Sequence, residues 1–125
     1  MPRTRLVLVA VMAGLCAAAL LPVAAGAATR VRVTPSSATA GDRVVIRGVE
    51  WGTTEFCRPR ATLRVLGVVI ARVVVDPNTG RFATTWVVPE AIGTGLRRIS
   101  VRQNCESGND GSLVLVRASG WIFVR

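Results

Sequence analysis

The sequence predicts an all-β sandwich of about seven short strands. Three observations carry this. Apolar and polar residues alternate with period two through most of the chain after residue 28, clusters of Gly, Pro and Asn interrupt the alternation at short intervals, and no helical period appears in that region. Short strands separated by such turns are the raw material of two sheets packed face to face.

Arg30-Val31-Arg32-Val33 alternates and stops at Pro35, and Ser36 to Gly41 is a turn of small residues. Arg43 to Arg47 sets Val44 and Ile46 on one face and both arginines on the other. Gly48 to Pro59 is a long irregular connection carrying Trp51, Phe56 and Cys57. Alternation resumes from Ala61 to Leu66, with Leu63 and Val65 inward and Thr62 and Arg64 outward. Val68 to Val75 is rich in β-branched residues, and Asp76-Pro77-Asn78-Thr79-Gly80 is built from residues that turns prefer. Phe82, Thr84, Trp86 and Val88 share a face until Pro89, and Glu90 to Gly95 is a loop. In Arg97 to Gln103, Ile99 and Val101 face inward. Asn104 to Ser112 is a polar loop. Leu113 to Arg125 is the last strand region, with a bulge or kink expected at Ala118-Ser119-Gly120. No repeat and no linker is visible, so residues 28–125 are expected to form one domain.

The N-terminus reads as an address. Arg3 and Arg5 make a positive start, Leu6 to Leu21 is an almost unbroken apolar run, Pro22 breaks it, and Ala24-Ala25-Gly26-Ala27-Ala28 supplies small residues of A-x-A character. This is the layout of a secretory signal peptide, residues 1–27, with cleavage expected after Ala27 or, nearly as well, after Ala28. A retained anchor is the alternative, but sixteen residues are short for a span of about 20. Lipidation at Cys16 is a second alternative, but Ala13-Gly14-Leu15 does not resemble a lipobox. The expected location is therefore secreted or extracellular, including cell-wall association, with no stable membrane anchor after cleavage.

Charge constrains the partner. There are 16 basic residues against 7 acidic ones, the formal net charge is +9, and every basic residue is Arg. Removing residues 1–27 takes away two arginines and no acid, leaving +7. Guanidinium keeps its charge at any biological pH. Such a field draws polyanions: nucleic acid, anionic lipid or acidic wall polymer. A merely soluble cationic surface is the plainer reading.

The same composition argues against catalysis. The chain has no His, so the commonest acid, base and metal ligand at neutral pH is missing. No G-x-S-x-G elbow occurs. Paired carboxylates for glycoside chemistry would have to come from Glu50, Glu55, Glu90, Glu106 or Asp110, all in loops and none singled out by spacing. Asp76 to Gly80 has the opening of a calcium loop, but position 87 is Val where that loop needs Glu. Glu106 to Gly111 offers oxygen ligands, and a solvated loop is the simpler account. The chain is expected to be no enzyme and to need no cofactor or metal. Cys57 and Cys105, an even pair in an exported chain, are expected to form a disulfide.

Several segments resemble one family. Val33-Thr34-Pro35-Ser36-Ser37, Ala40-Gly41-Asp42-Arg43-Val44 and Arg47-Gly48-Val49-Glu50-Trp51 are similar to the opening of secreted immunoglobulin-like domains of high-GC Gram-positive bacteria. Asp76 to Pro89 resembles their D-x-x-G-x-F hairpin, and Gly95 to Cys105 a later strand. The resemblance covers essentially all of residues 28–125. It implies an immunoglobulin-like β-sandwich and a spacer, adhesive or accessory role. The opening also resembles that of the neocarzinostatin-type apoproteins, although those carry two disulfide bridges. Arg97 stands where the family usually has Tyr, so no tyrosine corner is expected.

The expected function is a secreted or surface-associated, non-catalytic binding or structural module with a basic face for acidic surface polymer. Sequence-specific nucleic-acid binding is not expected. The candidate basic patch is Arg64, Arg98 and Arg102, placed outward by the inward turn of Leu63, Val65, Ile99 and Val101. One alternative is an apolar small-molecule carrier, with Trp51 and Trp121 as candidate loop aromatics. Another is a secreted effector or inhibitor that binds a protein. The ligand and the oligomeric state are not legible.

Overall fold

The computed structural model describes residues 28–125, and the expected signal peptide lies outside the described residues. The strands are β1 (Arg30–Thr34), β2 (Ser37–Ala38), β3 (Arg43–Val49), β4 (Cys57–Val65), β5 (Val68–Val74), β6 (Phe82–Val87), β7 (Gly95–Glu106) and β8 (Leu113–Val124). Among the described residues one 3-10 turn, Glu90–Ile92, sits in the connection after Pro89.

The strands form two sheets, β1-β3-β6 and β2-β8-β7-β4-β5. Only β2 runs parallel to its neighbour, pairing Ser37 with Phe123 and Ala38 with Val124. The first strand region is thus divided between the sheets, and the chain changes sheet at the Thr34–Pro35 bond, which is cis. The predicted period-two faces meet in the interior. Val44, Ile46, Leu63, Ile99, Val101 and Ile122 are fully enclosed between the layers. Trp86 packs against this core while remaining half-buried. Two packed, mainly antiparallel sheets with this strand order are an immunoglobulin-like β-sandwich. It has eight strands, one more than the alternation shows, because β2 is too short to carry a pattern.

Three local expectations change. The Ala118-Ser119-Gly120 segment holds no bulge, since β7 and β8 pair without a register shift from Gly95↔Val124 to Glu106↔Leu113. Gly120 answers a packing need instead. A Cβ there would lie 2.9 Å from Val31 Cγ1 and 3.1 Å from Val33 Cγ2, because β1 crosses close above it. The register shifts that do occur lie in β4, between Cys57 and Ala61 against β7 and at Leu63/Arg64 against β5. β7 also runs three residues beyond Gln103, to Glu106, because the disulfide and the Glu106 N–H···O=C Phe56 bond (2.7 Å) extend the ladder. Finally, Val65 and Val68 flank a two-residue hairpin loop whose residues, Leu66 and Gly67, both have positive φ. That is the geometry of a type I′ turn, although Leu-Gly lacks the Asn-Gly signature.

Cys57 and Cys105 are bonded, with their Cα atoms 3.9 Å apart, as directly paired residues of β4 and β7. The bridge therefore staples two neighbouring strands of one sheet.

Candidate anion-binding surface

Strand parity builds the candidate site. Ile99, Val101 and Gln103 of β7 point inward, so Arg98, Ser100, Arg102 and Asn104 point outward. Leu63 and Val65 do the same for Thr62 and Arg64 of β4, and the inward Ala118, Gly120 and Ile122 for Arg117, Ser119 and Trp121 of β8. The register then sets the rows across the sheet. Arg117 faces Arg102, which faces Thr62, which faces Arg72 of β5. In the next row Ser119 faces Ser100, which faces Arg64. In the third, Trp121 faces Arg98.

Arg64, Arg98 and Arg102 thus share the outer face of the five-stranded sheet. Arg98 and Arg102 are exposed and Arg64 is half-buried. Arg60 of β4, opposite Val74, lies on this face too, and two arginines from neighbouring strands join it, Arg72 and Arg117. Reading strands singly missed both, because an edge strand of valines and a supposed kink obscured their parity. The longer β7 also places one acid, Glu106, on this face, opposite Leu113 at its far end.

Carboxylates otherwise keep to turns, connections and strand ends. Asp42, Glu50, Glu55, Asp76, Glu90 and Asp110 all lie outside the strands. Asp42 accepts hydrogen bonds from the Thr39 amide (2.9 Å) and hydroxyl (3.0 Å), which hold its pKa below the ordinary carboxylate value. Asp110 is lowered in the same way by Ser112 and Ser107. Asp76 closes its turn, accepting from the Asn78 amide through its side chain (2.8 Å). Among the described residues, no group of three or more Cys, Asp or Glu is placed to hold a metal ion.

The candidate loop aromatics part company. Trp51 is 3% exposed, tilted against Phe82 with ring centroids 5.7 Å apart, and its Nε1–H donates to the Arg30 carbonyl at 3.4 Å. It closes one end of the sandwich, where no ligand reaches it. Trp121 belongs to β8 and not to a loop, and it is 51% exposed. With Phe123 (49%) and Leu96 (59%) it forms an apolar end to the arginine face. The two tryptophans lie at different ends of β7, one by Gln103 and one by Arg98, so they do not line a common cleft.

At the β6–β7 corner Arg97 does work that the sequence did not reveal. Its Nε donates to the Ile92 carbonyl (2.9 Å) and its Nη2 to the Thr94 carbonyl (2.9 Å). A guanidinium here links strand to corner backbone, as the phenol does in a tyrosine corner. Arg97→Ala is therefore expected to lower stability in urea denaturation by about 1–2 kcal/mol, and Arg97→Tyr to recover part of that. Equal stability of Arg97→Ala and the parent would show that water replaces the guanidinium without cost.

No family model matches the chain, and no curated protein does. Among solved structures it is similar to the fibronectin(III)-like modules of CbhA from Clostridium thermocellum, at 21% identity over 76% of this chain and 95% of that one, with a TM-score of 0.46. It is also similar to the CARDB domain of a Pyrococcus furiosus protein solved in complex with di-metal ions, at 15% identity over 77% of this chain and 91% of that one, with a TM-score of 0.42. The fold assignment rests on the strand order and register given above.

Proposed function

We propose that this chain is an exported, non-catalytic binding module that docks on an anionic polymer at a cell surface. The observation that supports it is the outer face of the five-stranded sheet, where Arg64, Arg72, Arg98, Arg102 and Arg117 surround the hydroxyls of Thr62, Ser100 and Ser119. Like charges directly opposite on neighbouring strands are destabilising. Arg102 and Arg117 are such a pair, and a bound anion turns their repulsion into attraction through charge-assisted, often bidentate hydrogen bonds. Arginines set in rows across several strands suit a polymer better than a small molecule. The carrier reading loses its support with the enclosure of Trp51. Protein binding is favoured by one observation, the exposed Leu96, Trp121 and Phe123, and predicts an affinity that salt hardly changes.

The test is a binding series with the secreted protein and its Arg64→Gln/Arg98→Gln/Arg102→Gln variant. The probes are polygalacturonate, inorganic polyphosphate, anionic lipid vesicles and duplex DNA. Wild type is expected to bind at least one of them at low salt and to weaken as salt rises, because exposed charges are screened within about 10 Å at 0.1 M. The triple variant is expected to bind at least tenfold more weakly. Absence of wild-type binding at low salt, or equal binding by the variant, would refute the proposal.

A further inference from the structure

A second arginine surface lies on the other sheet, and a groove joins the two. On β1 and β3 the inward residues are Val31, Val33, Val44 and Ile46, so Arg30, Arg32 and Arg47 face out, and Arg32 is paired directly with Arg47. β1 laps the edge of β8, as the closeness of Val31 and Val33 to Gly120 records. Beside that lap runs an open groove of ≈ 600 Å³. Arg30, Arg32 and Arg47 line it from one sheet, Arg117 and Ser119 from the other, and Val31 and Val49 give it apolar surface. The cross-strand pair Arg32–Arg47 thus lines one wall of the cleft, and Arg117, paired across its sheet with Arg102, lines the other.

The backbone adds donors. The Phe123 amide bonds to Ser36 on the β2 side of β8. Amides two apart on a strand point the same way, so those of Ser119 and Arg117 face this edge too. β2 reaches only Phe123 and Val124, and no strand pairs with β8 along the groove. The same parity makes Arg102↔Arg117 a non-hydrogen-bonded pair, the type with the closer side chains.

We infer that this groove holds consecutive phosphates of a linear, single-chain phosphate polymer, an inference that rests on the polyanion reading above and gives it a ligand class. Guanidinium groups approach from two sheets and edge amides from a third direction. A planar carboxylate is satisfied by one arginine fork, whereas the tetrahedral oxygens of a phosphate accept from several directions at once. Phosphate is also the group that arginines and backbone amides hold together in nucleic-acid complexes. A groove of ≈ 600 Å³ takes a few units of one chain, and a duplex is too bulky for it. A chain lying in it crosses the strands and continues onto the row Arg117, Arg102, Thr62, Arg72.

The experiment compares wild type, Arg32→Gln/Arg47→Gln and Arg64→Gln/Arg98→Gln by fluorescence anisotropy with labelled inorganic polyphosphate. Polygalacturonate and duplex DNA serve as competitors, and thermal melts check the fold. Arg32→Gln/Arg47→Gln removes like-charge repulsion and is expected to melt no lower than wild type. It is expected to weaken polyphosphate binding at least tenfold and to flatten the salt dependence by between one and two units, at about 0.7 per lost single-strand phosphate contact. Duplex DNA and polygalacturonate are expected to compete at least tenfold less well than unlabelled polyphosphate. Polyphosphate binding within threefold of wild type for Arg32→Gln/Arg47→Gln overturns the inference. If Arg64→Gln/Arg98→Gln then still loses binding, the surface-docking reading survives alone. Wild type that binds no polyanion at all ends both.

Discussion

Replacing Cys57 and Cys105 together by serine is expected to lower the free energy of unfolding by about 4 kcal/mol, the chain-entropy value for a loop of this size. The bridge spans 48 residues, from the start of β4 to near the end of β7, and so encloses four of the eight strands. Its effect lies mainly in the unfolded chain, which loses the freedom to separate those ends. In the folded state it pins the Trp51–Cys57 connection to β7, where the Glu106 amide already donates to the Phe56 carbonyl at 2.7 Å. For a domain of about a hundred residues each kcal/mol shifts the melting temperature by roughly 4–8 °C, so a fall on the order of 20 °C is expected. Calorimetry of the double serine variant checks it, and reduction of the wild type should give the same shift. A change below about 1 kcal/mol would mean that the reduced, unfolded chain keeps those segments together by other means.

How much of this was legible depended on pattern length. β3, β6 and the central parts of β4 and β7 carry four or more alternating residues, and their inward faces emerge as the sequence predicts. β2 carries two residues, which cannot show a period. It exists because Ser36 and Ala38 carbonyls accept from the Phe123 and Arg125 amides, a pairing set by the other end of the chain. Gly120 breaks the alternation of β8 when read locally. Its meaning is supplied by Val31 and Val33, some ninety residues earlier, and tertiary packing outweighs the local signal for a bulge.

The same holds for the candidate site. Parity within one strand sufficed to turn Arg64, Arg98 and Arg102 outward. Pairing between strands was needed to add Arg72 and Arg117, and the meeting of two sheets was needed to bring Arg32 and Arg47 to the same groove as Arg117. Trp51 shows the reverse. It stands in an irregular segment, where an aromatic either plugs the sandwich end or meets a ligand, and its partners Phe82 and the Arg30 carbonyl, from β6 and β1, enclose it as a plug.

Gln103 was the least legible residue, and its replacement by leucine is expected to cost about 3 kcal/mol. It is 1% exposed and the one polar side chain buried among the described residues. Its Nε2 donates to the carbonyls of Gly52 and Arg58, both at 2.9 Å, and its Oε1 accepts from the Gly52 amide at 2.8 Å. One amide side chain thus closes the backbone of the connection that carries Trp51, and it takes the place that the broken β4–β7 ladder leaves between Cys57 and Ala61. Leucine keeps the volume and removes all three bonds, orphaning one amide and two carbonyls at about 1–3 kcal/mol each where water cannot reach them. Glutamate gives a sharper test. Protonated, it can still accept from Gly52 and donate to one carbonyl. Ionised, it keeps one oxygen on the Gly52 amide but turns the other toward two carbonyls that donate nothing, so burial and those carbonyls hold its pKa above the ordinary carboxylate value. Such a group stabilises the fold below its unfolded pKa, and the contribution is lost as pH rises through the raised folded value. Gln103→Glu is therefore expected to fall progressively below wild type in urea denaturation from pH 4 to pH 8. Parallel curves for the two proteins over that range, or a loss under 1 kcal/mol for Gln103→Leu, would show that water already serves the Gly52 and Arg58 backbone in solution.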